Sequence, residues 1–304
     1  MNRSPSSANS LRRGSLLLLT LFFVGAYFGM RSLPVESCDF LHSQDTLGDA
    51  EGLEYCGPGE SNFVDLDKVR FPMRVEVKAL GQPVAGAPCQ FRLRLHNYRE
   101  EALTGEDIAV SHTEKLHLLC VDESLEDYQH VHPEEVAPGL FEFTLTPAHG
   151  GRYKIFLDFI MMRSGSRVLL QDTFVVDGAR PKPDWGGALQ AQSGKFSFAL
   201  KMPSGAIAAG QKQAIELEVL DTTTGKPARF EPVMGAYAHL VAFDSARRGF
   251  AHFHPLNQDE ELWDASLAGL QFSFNLGEAG AYRLWVQVCL EGRERFIPFN
   301  LKVI

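Results

Sequence analysis

The residues in this sequence best suited to chemistry are histidines, and they come in two matched sets. In the first, His117 is followed after twelve intervening residues by His130-Val131-His132-Pro133; in the second, His239 is followed after the same twelve by His252-Phe253-His254-Pro255. Imidazole is a neutral nitrogen donor near pH 7. Three imidazoles meeting at a point form a ligand set for zinc or copper, with a fourth position left to water, a thioether or a carboxylate. Met234 lies just ahead of the second set, and its thioether would favour Cu(I); ahead of the first set, His112 and Glu114 are the nearest candidates. The expected metal ligands are therefore His117, His130 and His132 in one copy and His239, His252, His254 and Met234 in the other, and the expected cofactor is a copper or zinc ion.

Whether three imidazoles meet depends on the elements that carry them. The intervening residues begin and end in strand-like sequence around a polar turn, Asp122 to Asp127 in one copy and Asp244 to Gly249 in the other, so each set reads as a β-hairpin. Side chains two apart on a strand share a face, which puts His130 with His132 and His252 with His254. If the hairpin closes on an even-numbered loop, His239 stands opposite His254 and diagonal to His252, at cross-strand distances of about 4.5 to 8 Å. A one-residue slip would send His239 to the other face. The competing reading is that histidines beside His-Pro cap a strand or bond a loop carbonyl.

The surrounding sequence is all β. Arg74-Val75-Glu76-Val77, Phe91-Arg92-Leu93-Arg94-Leu95, Phe141-Glu142-Phe143-Thr144-Leu145 and Tyr153 to Phe159 read as strands, with a last one near Val168 to Val176. The stretch Asp177 to Gly187, with Pro181, Pro183 and adjacent glycines, is the natural boundary between domains. Beyond it the pattern repeats. Ile215 to Val219 takes the place of the Phe91 strand, Leu270 to Leu276 that of the Phe141 strand, and Gly280-Ala281-Tyr282-Arg283-Leu284 that of Gly151-Arg152-Tyr153-Lys154-Ile155. Tyr153 and Tyr282, each just after a glycine, resemble the tyrosine corner of immunoglobulin-like folds. The expected fold class is two tandem immunoglobulin-like β-sandwich domains, at 69–178 and 190–304, after a signal anchor at 1–33 and a polar linker at 34–68.

Composition narrows the setting. The 304-residue chain is 45% hydrophobic and 22% charged, as globular proteins are, and its net charge of -9 without a basic stripe argues against a nucleic-acid partner. Arg3, Arg12 and Arg13 precede an uncharged apolar run from Leu16 to Met30. That run reads as a retained membrane anchor with the domains outside the cytoplasm, a cleaved signal peptide being the alternative and lipidation at Cys38 a minor one. Five cysteines then fall in an exported chain. Cys38 and Cys56 are the disulfide candidate, or, with His42, a weaker metal site, whereas Cys89, Cys120 and Cys289 sit in strands and read as buried small hydrophobes. His42, His96 and His149 have no counterpart in the other copy and are read as surface residues.

The run Gly235-Ala236-Tyr237-Ala238-His239-Leu240-Val241, then His252-Phe253-His254-Pro255, then Gly280-Ala281-Tyr282-Arg283-Leu284 resembles the bacterial exported proteins called YtkA-like or heavy-metal-associated. The resemblance is close over 205–304 and looser over 80–176, where Ser111-His112-Thr113-Glu114-Lys115-Leu116-His117 replaces the glycine-rich lead. It implies a β-sandwich that handles metal. The expectation is thus a membrane-anchored extracytoplasmic protein that buffers, senses or delivers copper or zinc, with a structural module docking an envelope protein partner as the alternative. An enzyme is not expected: there is no nucleophile elbow, phosphate loop or paired-carboxylate signature, and only Asp259 and Glu260 stand near enough in sequence to serve as a base.

Overall fold

A computed structural model describes residues 18–29, 61–185, 189–202, 207–256 and 269–304. Cys38, Cys56, His42, Asp259 and Glu260 lie outside the described residues, and with them the disulfide candidate and the proposed base. Residues 18–29 are helical, and among the described residues no helix is long and apolar enough to cross a membrane. At 1.5 Å per residue the described helix is roughly 18 Å long, against about 30 Å of bilayer hydrocarbon.

Two β-sandwiches follow, as the repeat predicts. In the first, a four-stranded sheet runs in the order Met73–Ala79, Cys89–Asn97, Leu140–Leu145, Glu134–Ala137. Facing it, Arg167–Val176, Gly151–Met161, His117–Val121 and Tyr128–Val131 form the second layer, with Ile108–Ala109 also paired to Gly151–Met161. Alternation dictates which side chains go inside. Phe91, Leu93 and Leu95 of one layer meet Leu118, Cys120, Ile155 and Leu157 of the other in a single core.

The second sandwich repeats this plan. Gly269–Asn275, Gln213–Asp221, Phe196–Lys201 and Gln190–Ser193 form one layer, and Gly249–Phe253, His239–Asp244, Gly280–Leu290 and Arg293–Val303 the other. Its core joins Ile215, Leu217 and Phe272 to Leu240, Ala242, Leu284 and Phe299. Both tyrosine corners form: Tyr153 Oη accepts from the His149 N–H and donates to Asp127, and Tyr282 Oη donates to the Glu278 carbonyl.

The stretch expected to be linker is partly built into the second sandwich. Ser61–Asn62 adds a parallel edge to Gly269–Asn275, and Val64–Asp65 pairs with Gly249–Phe253. Gly249 is what allows the second pairing, since a Cβ there would lie 1.7 Å from the Val64 carbonyl oxygen.

A second departure concerns the outer faces of the histidine-bearing sheets. Strands open to water on one side alternate in burial, yet His117–Val121 and His239–Asp244 are buried at every residue. The reason is that these two sheets press together. Tyr128 packs against Phe243 and Trp285, both at 5.7 Å between ring centroids, and Phe156 against Phe243 and Phe250 at 5.6 and 5.2 Å. Lys154 donates to the Arg247 carbonyl and Arg247 to the Arg152 carbonyl, so polar contacts border the apolar seam. The tandem sandwiches therefore share a seam, and eight of the eleven residues on these two strands are apolar because both faces lose water.

Candidate metal centre

The register of each hairpin decides where its histidines point. Leu240 pairs with Phe253 and Val241 with His252, so the next step along the ladder sets His239 opposite His254. Leu118 pairs with Val131 and Leu119 with His130, which sets His117 opposite His132 in the same way. The even-numbered closure holds in both copies. His117, His130 and His132 offer ligand nitrogens that all lie within 4.8 Å of one another, and so do His239, His252 and His254.

Within the first triad His117 Nδ1 and His130 Nε2 are 3.3 Å apart; in the second, His239 Nδ1 is 3.1 Å from His252 Nε2 and 3.0 Å from His254 Nε2. Nitrogens bound to one ion at 2.0 to 2.1 Å are separated by about 3.3 Å when the geometry is tetrahedral.

The other nitrogen of each ring determines which of these atoms carries a lone pair. His117 Nε2 lies 2.9 Å from the Ser111 carbonyl and His239 Nε2 2.9 Å from the Val233 carbonyl; a carbonyl only accepts, so both rings carry their proton there and leave Nδ1 bare. The loop-carbonyl role that competed with metal binding is therefore present, on the outer nitrogen, and it orients the inner one. The two carbonyls belong to equivalent turns, closed by bridges between Ser111 and Glu114 and between Val233 and Ala236. Both central residues of each turn are left-handed: His112 and Thr113 at φ 49° and 70°, Met234 and Gly235 at 51° and 74°. The first copy thus builds, without glycine, the turn that the second builds with it, and Met234 is the counterpart of His112. Met234 is half-buried on that turn.

For His130 the proton is fixed from across the seam. Gln287 Nε2 donates to Glu294 at 2.9 Å, which turns Gln287 Oε1 toward His130 Nδ1 at 3.0 Å. His130 must donate there, leaving Nε2 bare. His252 Nδ1 lies 3.9 Å from Asp158 Oδ2, whose carboxylate is paired with Arg167 at 2.8 Å.

Burial keeps these rings neutral. Desolvation is the largest cause in every case: it lowers His112 and His132 to about 4 and His239 to about 3, and holds His130, His252 and His254 well below the usual imidazole range. His117 is lowered by burial as well, against the opposing pull of Asp158. Neutral imidazoles bind metal without first losing a proton.

The two triads face each other across the seam. His130 lies 5.9 Å from His239 and 5.7 Å from His252 between ring centroids, and His112 stacks on His254 at 3.9 Å. Three residues of this cluster are outside the sequence-derived ligand set: His112, named there as a candidate for the fourth position, and Asp158 and Gln287, not considered at all. Their signal is a polar residue inside an otherwise apolar strand, Asp158 within Ile155 to Ile160 and Gln287 within Leu284 to Leu290. His96 and His149 stay outside the cluster, each half-buried elsewhere. Cys89 and Cys120 are buried as expected, whereas Cys289 is only half-buried, beside Glu231.

A family model described as "Domain of unknown function (DUF8832)" matches residues 70–176 and again 191–304. No curated protein matches. Among solved structures, a DUF4785 family protein from Legionella pneumophila subsp. pneumophila str. Philadelphia 1 is 12% identical, with 78% of this chain and 58% of that chain covered and a TM-score of 0.27. The fibronectin(III)-like modules of Clostridium thermocellum CbhA are 10% identical, covering 76% and 93%, at a TM-score of 0.20. Invasin, a bacterial integrin-binding protein, is 13% identical, covering 75% and 40%, at a TM-score of 0.21. The chain therefore spans under two thirds of the length of the first and last of these.

Proposed function

Because the chain belongs to the DUF8832 family, with one matched segment over each sandwich, we propose a function for what the two segments build together: each holds a transition-metal ion, zinc or copper, on three imidazoles. One observation carries this reading. His117 Nδ1 and His130 Nε2 are both bare nitrogens, and they face each other at 3.3 Å inside the protein. Two lone pairs at that separation repel unless a cation sits between them, and burial disfavours the extra proton that would otherwise serve. In the second triad, the single lone pair of His239 Nδ1 faces two imidazole nitrogens at once. A metal ion satisfies all three donors; a proton satisfies one pair.

An all-nitrogen, neutral donor set suits both zinc and copper. The resemblance of the His-x-His-Pro run to YtkA-like proteins supports the same reading. Arg3, Arg12 and Arg13 ahead of the apolar run at 16–30 support placing the sandwiches outside the cytoplasm, on a membrane anchor, which protease accessibility on intact cells tests directly. Deep enclosure supports holding or buffering an ion over turnover of a substrate.

The deciding experiment strips the full chain with a chelator, reloads it with Zn(II) or with Cu(I) under reducing conditions, and counts bound metal by mass spectrometry. Two ions per chain are expected, falling to one in His252→Ala/His254→Ala and to one in His130→Ala/His132→Ala. Stoichiometry that ignores both double variants refutes the proposal.

A further inference from the structure

Each triad meets side chains of the opposite sandwich. Asp158 pairs with His117 on the neighbouring strand of the first sandwich, and Gln287 pairs with His239 at the corresponding place in the second. The two positions are equivalent in the repeat, yet neither side chain serves the triad of its own sandwich through a hydrogen bond. Gln287 reaches across to His130 Nδ1 at 3.0 Å, and Asp158 approaches His252 Nδ1 at 3.9 Å. The middle histidine of the first triad is thus hydrogen-bonded by a group from the other half, and that of the second faces a carboxylate of the other half at ion-pair distance, beyond hydrogen-bond reach. His112 adds a third crossing: it stands on the first sandwich, its Nε2 is buried without a hydrogen-bond partner, and its ring lies on His254 of the second.

Groups behind a ligating imidazole fix its tautomer and raise its basicity, and removing them typically costs about 10- to 100-fold in metal affinity. Here those groups exist only while the two sheets are pressed together. We infer that the two triads are one interlocked two-ion centre, in which Asp158 and Gln287 are positioning residues acting across the seam, so that neither ion site is complete on its own sandwich. The inference rests on the metal-binding reading above and adds a coupling that the reading does not require. It also accounts for the unbroken apolar strands around the histidines: the seam that buries Phe243 and Phe156 also delivers the orienting groups.

The test measures Zn(II) affinity by competition with a chromophoric chelator, using full-length protein in which only one triad is intact. With the first triad disabled by His130→Ala/His132→Ala, Asp158→Asn is expected to weaken the second site by about 10-fold or more, although Asp158 belongs to the first sandwich. With the second triad disabled by His252→Ala/His254→Ala, Gln287→Leu is expected to weaken the first site by a similar factor. Co(II) in place of zinc reports the geometry: a changed visible spectrum is expected in the same cross-over pattern, and a purely structural role would leave it unmoved. Should Asp158→Asn lose its cooperative melt because the ion pair with Arg167 is broken, the Gln287 arm decides alone. Affinities and spectra unaltered by a substitution in the opposite sandwich overturn the inference while leaving metal binding intact. A full chain that binds no metal defeats the underlying reading instead.

Discussion

Phe243→Ala separates two sandwiches sharing a buried seam from two sandwiches standing free. Phe243 alternates with Ala242 on the His239 strand, so its side chain leaves the second sandwich's own core and points at the first. It is 0% exposed and meets Phe156 at 5.6 Å, Tyr128 at 5.7 Å and Phe250 at 6.3 Å. Truncating a fully enclosed phenylalanine removes its transfer free energy and leaves a cavity, together about 3–5 kcal/mol. Were the sandwiches independent, the same residue would lie on an open sheet face, where such a change is worth within about 0.5 kcal/mol. At about 2–4 °C per kcal/mol for a unit of this size, the shared seam predicts a melting temperature lower by about 6–20 °C. Calorimetry on metal-stripped protein measures it, with Trp285 fluorescence as a local probe because that ring stacks on Tyr128 across the seam. A loss below about 1 kcal/mol, far short of the cavity cost, would refute the packing argument and with it the cross-seam contacts of the histidines.

Acid should destabilise the metal-free protein well before its carboxylates titrate. Buried His112 and His239 stay neutral down to about 4 and about 3, while in the unfolded chain they charge near the ordinary value of 6.5. The unfolded state therefore binds more protons as pH falls below 6.5, and stability drops at up to about 1.4 kcal/mol per pH unit for each such ring; a melting temperature constant from pH 7 to 5.5 would count against their burial. Gly249→Ala should unseat Val64–Asp65, because the new Cβ would overlap the Val64 carbonyl. Hydrogen exchange is expected to show faster exchange at Leu66, whose N–H bonds the Arg248 carbonyl, and unchanged protection there would mean the edge adapts.

Much of the architecture was legible along the chain because its causes are local. Alternation at Phe91 to Leu95 and Ile215 to Val219 reflects one wet face and one dry face, and that pattern is written residue by residue. The two His-x-His pairs share a face because strand periodicity is two. Other features depended on partners distant in sequence. Nothing near Ser61 to Asp65 announces that those residues pair with strands some two hundred positions later, so a polar stretch looked like linker. Asp158 and Gln287 looked like isolated polar residues in apolar strands, since their meaning lies in a sheet that neither belongs to.

What the sequence by itself determined is the inventory and its local geometry: two copies of a sandwich, each with a His-x-His pair on one strand face and a third imidazole one hairpin away, because the pleat acts within a few residues. The tertiary structure decided that those faces turn toward each other. Burial on the second face removes water from the imidazoles, keeps them neutral, and brings His112, Asp158 and Gln287 against the opposite triad. That outcome follows from apolar area on two distant strands being removed from water together, which no spacing within either copy encodes.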